Sequence, residues 1–126
     1  MIDAQIKQGH DVTSVCTEGK YTNSLLEAGY KIETITIERS LNIFKHLQSS
    51  LKLYKYLKEN SFDVLHVHTP VAAMIGRFAA IFTKIPIVVY TAHGFYFHEN
   101  MPPLKKYFFI FLECLFGFMT DVLFTQ

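Results

Sequence analysis

Four of the six histidines in this 126-residue chain stand between His66 and His98: His66, His68, His93 and His98. An imidazole can donate or accept a hydrogen bond and changes charge near neutral pH, so it suits a sugar hydroxyl or a phosphate oxygen. His93 precedes Gly94, a residue that lets the backbone turn or a ligand come close. On chemistry alone His93 reads either as a ligand-binding group or as part of a structural turn. His66 and His68 are two residues apart, which on a strand places them on one face. His66 lies inside an apolar run and reads as a hydrogen-bonded core histidine. His68 ends that run and reads as facing either a crevice or the core. Zinc takes three or four ligands in a fixed geometry. One of these histidines sits in an apolar strand and no cysteine accompanies them, so no metal is expected. Glu99 is the only carboxylate near this loop and reads as solvated rather than as a general base. Gly-x-Gly-x-x-Gly, a phosphate-binding loop and Gly-x-Ser-x-Gly are all missing from the sequence.

The stretch 63–98 must position these groups. Asp63 to His68 is a short apolar run, read as a strand. Thr69 is placed to cap a helix with its hydroxyl, and Pro70 fits the first helical position. The helix is expected to run to about Thr83, with Arg77 its only charge before Lys84. Ala72, Gly76, Ala79 and Ala80 form a stripe of small residues that allows close approach to a sheet. Ile85-Pro86 stops the helix. Ile87 to Tyr90 is continuously apolar, as in a strand covered on both faces. Strand, helix and strand in succession read as a βαβ unit with parallel strands. Ligands of such sheets sit beyond the carboxyl ends of the strands, which here means His68-Thr69-Pro70 and Thr91 to Phe95.

The rest of the chain continues the alternation. Met1 to Gln8 reads as a helix with Ile2, Ile6 and Ala4 inward, ended by Gly9. His10 to Cys16 is a strand, Tyr21 to Ala28 a short helix with Leu25 and Leu26 as its apolar content, and Gly29 its end. Tyr30 to Ile37 alternates like a half-exposed strand near a sheet edge. Ser40 is placed to cap a helix over Asn42 to Asn60. Its inner stripe is Ile43, Leu47, Leu51, Tyr54 and Leu57, with Lys45, Lys52, Lys55 and Lys58 on a solvated outer side. After Pro102-Pro103, Leu104 to Met119 reads as a helix, and Asp121 to Thr125 as one more buried strand. In the last helix Lys105 and Lys106 adjoin a dense aromatic block. Such a helix either lies in a membrane interface or packs as a core helix on the sheet.

Composition narrows the class. Half of the chain is hydrophobic, with 12 Phe and 7 Tyr, so it can fold around a core and disorder is excluded. A formal net charge of +1 gives no electrostatic case for nucleic acid. Cys16 and Cys114 read as reduced core residues of a cytosolic protein. Residues 1–15 lack the pattern of a signal peptide, and the apolar run from Tyr107 to Met119 is too short to span a bilayer. The element order predicts an α/β fold, a doubly wound, mostly parallel Rossmann-like sheet. The chain opens on a helix with no strand before it, so the first, central strand of such a sheet is expected to be lacking. Its neighbours must then either keep an unpaired edge each or pair directly, and the chain reads as a piece of something larger.

The segments "FDVLHVHTPVAAMIGRFAA" and "IPIVVYTAHGFYFHENMPPLKKYFF" resemble the amino-terminal domain of family 4 glycosyltransferases, closest to the bacterial branch that builds capsular, exopolysaccharide and lipopolysaccharide chains. The opening "AQIKQGHDVTSVCTEG" is similar to that family's first helix and second strand. The likeness covers the whole chain in order, and Thr-Ala-His-Gly-Phe-Tyr-Phe-His is its most specific part. It implies one half of a GT-B fold, residues 1–126 being a single partial, acceptor-side Rossmann-like domain. It implies retaining transfer from a nucleotide-sugar donor, a co-substrate, to a lipid-linked or saccharide acceptor, with no metal or other cofactor. By the same likeness His93 matches the histidine that reaches toward the donor sugar, with Gly94 beside it. His68, Thr69 and Pro70 match the loop beside the acceptor, and Phe95 and His98 are assigned to that side. Lys105, Lys106, Phe108 and Phe109 would face the inner surface of the plasma membrane, making the protein cytoplasmic or peripheral. The family's first strand with its glycine loop, and the carboxy-terminal donor domain with its paired glutamates, have no counterpart in the sequence, so the chain is expected to be inactive alone. Two further readings stand beside this one: a non-enzymatic remnant or interaction module, and a nucleotide-sugar epimerase-like domain. A flavodoxin-like nucleotide-binding regulator is weakened by the missing phosphate loop.

Overall fold

Helix and strand alternate along the whole chain, as the apolar patterning predicts. The computed structural model describes residues 2–38, 42–95 and 97–125. The elements are α1 (Ile2–Lys7), β1 (Thr13–Cys16), α2 (Thr22–Glu27), β2 (Lys31–Thr34), α3 (Ile43–Glu59), β3 (Val64–His68), α4 (Pro70–Ala80), β4 (Ile87–Ala92), α5 (Pro103–Gly117) and β5 (Val122–Thr125). They fall into two units, Met1–Glu38 and Arg39–Gln126. All strand pairing is parallel, in one sheet ordered β1-β2 and one ordered β3-β4-β5. Among the described residues β1 has β2 as its single partner and β3 has β4, so each keeps one unpaired edge.

In the first unit the register runs from Thr13↔Lys31 to Cys16↔Thr34. Gly9 and Gly29 both adopt φ +89°, the left-handed conformation that ends a helix at little cost to glycine. The Thr17 hydroxyl accepts the Ile37 N–H at 2.8 Å and holds the segment after β2 against the end of β1. The Asp11–Lys31 ion pair at 2.6 Å is exposed and adds little. One expectation fails here. α1 buries no residue: Ala4 and Ile6 are exposed. In α2 Leu25 and Leu26 are exposed, and the residue it buries is Thr22. Each helix has six residues, fewer than two turns, which is too short to present a full apolar stripe.

The second unit is built on β4, paired on both edges. β3 aligns His66↔Val89, Val67↔Tyr90 and His68↔Thr91, and β5 aligns Tyr90↔Leu123 and Thr91↔Phe124. Leu65, Val67, Tyr90 and Ala92 share one face and pack with Ala73 of α4 into the core. Gly76 makes this approach possible, because a Cβ there would stand 2.5 Å from Val67 Cγ1. Of the small-residue stripe, Gly76 makes the close approach its spacing predicts, while Ala72 and Ala80 are half-buried and the alanine in the core cluster is Ala73. Asp121 fastens β5 to β4: its Oδ2 accepts the Val88 N–H at 2.7 Å and its own N–H reaches the Val88 carbonyl at 2.8 Å.

α3 is present but turned relative to its predicted stripe. Its buried residues are His46, Ser49, Ser50, Leu53 and Leu57, while Ile43, Leu47 and Leu51 are exposed. Small serines let α3 lie close to α4, and Ser50 Oγ donates to the Ile75 carbonyl at 3.4 Å. The four lysines are exposed as expected. Asn42 caps this helix through Oδ1, which accepts from Phe44 N and Lys45 N. Ser40 lies outside the described residues.

Arg77, read from sequence only as a lone charge, is fully buried. Its guanidinium lies 4.4 Å from the Tyr90 ring centroid and 5.3 Å from that of Phe116. Nε donates to the Ala73 carbonyl at 3.1 Å, and Nη2 donates to Glu113 Oε2 at 3.0 Å, tying α4 to α5. α5 buries only Phe116. Glu113 lies on the α4 side, while Leu104, Tyr107, Phe108 and Phe111 are exposed. The helix therefore has both a packed and an open side. β5 is exposed along its length, against the expectation of a buried strand, because it is an edge strand with β4 on one side. Ile87 is exposed too, so β4 is not covered along its whole length. Cys114 is exposed and Cys16 half-buried, both free, so neither is the core residue expected.

Candidate functional site

Alternation along β3 and β4 sorts side chains onto two faces. The apolar set meets α4. The other face carries His66, His68 and Thr91, and His93 follows two residues after Thr91 as the chain leaves β4. His66 Nε2 and Thr91 Oγ1 share a hydrogen bond of 2.8 Å. His68 Nδ1 and His93 Nε2 share one of 3.3 Å. The rings are close: 4.2 Å between the centroids of His66 and His68, and 5.6 Å with 19° between planes for His68 and His93. A chain of hydrogen-bonding groups thus lies across the carboxyl ends of two parallel strands, where ligands of such sheets bind.

The electrostatics follow from this packing. Burial holds the His66 ring below the ordinary histidine value. His68 is lowered by burial first, then by the charges that His66 and His93 would carry. Near neutral pH these two rings are neutral, so each has one N–H and one lone pair to offer. Among the described residues no group of three or more His, Cys, Asp or Glu is arranged to hold a metal ion.

The loop geometry departs from the sequence reading at Thr69. It caps nothing with its side chain. It sits at φ 63°, ψ 147°, a conformation almost confined to glycine and costing a non-glycine residue about 1–3 kcal/mol. Its carbonyl still accepts the Ala73 N–H at 2.8 Å, and Pro70 opens α4 as expected. Gly94 has φ +142° with open space where a Cβ would be, so it is placed where a side chain would be strained. Phe95 stacks on Phe97, centroids 5.1 Å apart. His98 is exposed and its carbonyl accepts the Met101 N–H at 3.2 Å. Lys105 and Phe108 are exposed, and Lys106 and Phe109 half-buried, on α5.

The site thus brings together His66, His68, Thr91 and His93. Thr91 falls in the strand-end segment expected to hold the site, but its bond to His66 was not foreseen, because the apolar run suggests that β4 ends at Tyr90. The signal that finds it is a pair of alternations, His66/His68 and Thr91/His93, on neighbouring strands. Arg77 was missed because a charge in a helix reads as solvated.

The glycosyl transferase 4-like family model matches residues 1–126. The chain is 32% identical over 104 residues to the UDP-Gal:alpha-D-GlcNAc-diphosphoundecaprenol alpha-1,3-galactosyltransferase of Escherichia coli, covering 82% of this chain and 27% of that protein. It is 30% identical over 112 residues to the capsular polysaccharide biosynthesis glycosyltransferase CapM of Staphylococcus aureus, covering 84% of this chain and 27% of the relative. With the putative glycosyltransferase EpsD of Bacillus subtilis it shares 30% identity over 87 residues, 61% of this chain and 21% of the relative. The matched part thus spans 21–27% of the length of these relatives. With the family model matched from end to end, and parallel βαβ units carrying the histidines at their carboxyl ends, this chain belongs to the glycosyl transferase 4-like family.

Proposed function

We propose that this chain is the acceptor-side part of a retaining glycosyltransferase. The enzyme would pass a sugar from a nucleotide-sugar donor to a lipid-linked saccharide of the cell surface. The observation that carries this reading is the His68–His93 hydrogen bond across the carboxyl ends of β3 and β4, in a chain of this family. His93, exposed beside Gly94, supplies an imidazole that donates to a sugar hydroxyl or a phosphate oxygen. His68, Thr69 and Pro70 form the acceptor side, with Phe95 and His98 on the loop opposite. The acceptor class is supported by the name of the Escherichia coli relative, which specifies a diphosphoundecaprenol acceptor. No metal or organic cofactor takes part. The nucleotide is held mainly by a donor domain outside these residues, so the 126-residue chain does not transfer sugar by itself. Exposed Lys105 with Phe108 and its neighbours on α5 suits the inner membrane surface, where lipid-linked acceptors are met.

The test is a titration of the isotopically labelled chain with a short-chain, water-soluble prenyl-diphosphate N-acetylglucosamine. Signals of His68, Thr69 and Phe95 are expected to shift saturably, and a UDP-sugar to move them less. Absence of any shift at these three residues would sink the acceptor-side assignment. Incubation with both compounds is expected to give no product, and turnover would refute the claim that the chain is inactive alone.

A further inference from the structure

The bond between His68 and His93 permits only two arrangements of its proton while both rings are neutral. Either His68 Nδ1–H donates to the lone pair on His93 Nε2, or His93 Nε2–H donates to the lone pair on His68 Nδ1. The arrangements differ in what His93 has left to offer. In the first, its own proton stands on Nδ1, and that nitrogen is a donor. In the second, Nδ1 is bare and can only accept.

We infer that His68 is a positioning residue whose Nδ1–H donates to His93 Nε2, fixing His93 as the Nδ1–H tautomer with a donor free for the substrate. The inference rests on the reading of His93 as the group that donates to a sugar hydroxyl or phosphate oxygen. Its geometric ground is the 3.3 Å contact, with the two rings only 19° from parallel. His68 is itself held from behind. Its ring lies 4.2 Å from that of His66, whose Nε2 is anchored on Thr91 Oγ1 at 2.8 Å. Strand pairing sets the spacing, since His68 and Thr91 are register partners and His93 follows Thr91 by two residues. His93 is exposed beside a glycine, and its ring lies against and is hydrogen-bonded to His68, so its proton is placed by the neighbour it bonds to. This is how a second group ordinarily sets the tautomer of a working histidine.

Nitrogen-15 resonances of the imidazoles report directly which ring nitrogen carries the proton, and they are measured on the full chain with no sugar or nucleotide present. In the native chain above neutral pH, His93 is expected as the Nδ1–H form. In His68→Ala it is expected to relax to a mixture or to the Nε2–H form. In His68→Gln, whose amide N–H can still donate to Nε2, the native form is expected to return. Finding His93 as Nε2–H in the native chain, or unchanged in His68→Ala, overturns the inference. Should His68→Ala not fold, the native chain and His93→Ala decide. His68 is expected to carry its proton on Nδ1 in the native chain, and in His93→Ala to relax to a mixture or to the Nε2–H form. His68 found as Nε2–H in the native chain, or an unmoved His68 Nδ1 resonance in His93→Ala, would overturn the inference equally. Failure of acceptor binding counts against the functional reading and leaves these outcomes as they stand.

Discussion

At the scale of single residues, the histidines carry an energetic cost as well as a chemistry. His66 and His68 are both held below their ordinary value of 6.5, chiefly by burial. As pH falls through about 6.5 the unfolded chain takes up protons that the folded chain resists. Their contribution is therefore complete above the unfolded value and declines as pH drops toward the lowered folded values. Thermal melts from about pH 8 down to about pH 5.5 should show this as a falling Tm, each ring adding at most about 1.4 kcal/mol per pH unit. In the double variant His66→Gln with His68→Gln the slope should be shallower, and an unchanged slope would show that the two rings do not set it. The face shared by His66 and His68 was legible from their spacing, and so was the value of Gly94. The His68–His93 bond was not, because it depends on the strand register and on β4 extending through Thr91. Thr69 misled for a different reason. Its hydroxyl makes it a good cap by type, yet its backbone turns through φ 63°, and that geometry carries its hydroxyl away from a capping role.

At the scale of elements, the unexpected feature is how α5 is joined to α4. Arg77 is 1% exposed and Glu113 18% in their side chains, so the pair is largely removed from water. Two aromatic faces and the Ala73 carbonyl complete the guanidinium's surroundings. Breaking such a pair on one side leaves an uncompensated buried charge, whereas replacing both members with apolar groups removes the desolvation cost altogether. Glu113→Ala is therefore expected to cost about 3–5 kcal/mol, and the double variant Arg77→Met with Glu113→Leu to recover most of that loss. Urea unfolding of the three chains measures it. If Glu113→Ala costs less than about 1 kcal/mol, the pair behaves as a surface one and α5 is held by something else. The longer helices α3, α4 and α5 were legible because long apolar segments declare themselves, and the short α1 and α2 because Gly9 and Gly29 mark their ends. Helix orientation was less so. In α3 the buried side is set by Ser49 and Ser50, which permit close approach to α4, rather than by Leu47 and Leu51. An apolar count favours the larger residues and so rotates the helix the wrong way. β5 shows the same limit in a strand, since its apolar sequence cannot reveal that among the described residues it pairs with β4 alone.

At the scale of the whole molecule, burial is concentrated in one of the two units. Among the described residues those buried in Met1–Glu38 are Thr22 and Ile35, whereas Arg39–Gln126 contains Val67, Ala73, Ile75, Ala79, Tyr90 and Ala92, all under 8% exposed. β4 is hydrogen-bonded on both edges and lies over the Ala73 and Gly76 side of α4. The strands β1 and β2 have a single partner each, and their flanking helices bury little. Local opening costs little where few apolar contacts are lost and most where a central strand must be torn from both neighbours. Native-state hydrogen exchange should therefore rank the chain by these contacts rather than by secondary-structure type. The amides of β4 should be the slowest. Those of β1 and β2 should exchange at least about tenfold faster, a difference of about 1.4 kcal/mol in opening free energy, although both regions are parallel sheet. Equal protection in the two sheets would mean that the units unfold as one. In that case the stability of the histidine site would depend on residues far outside the strands that carry it.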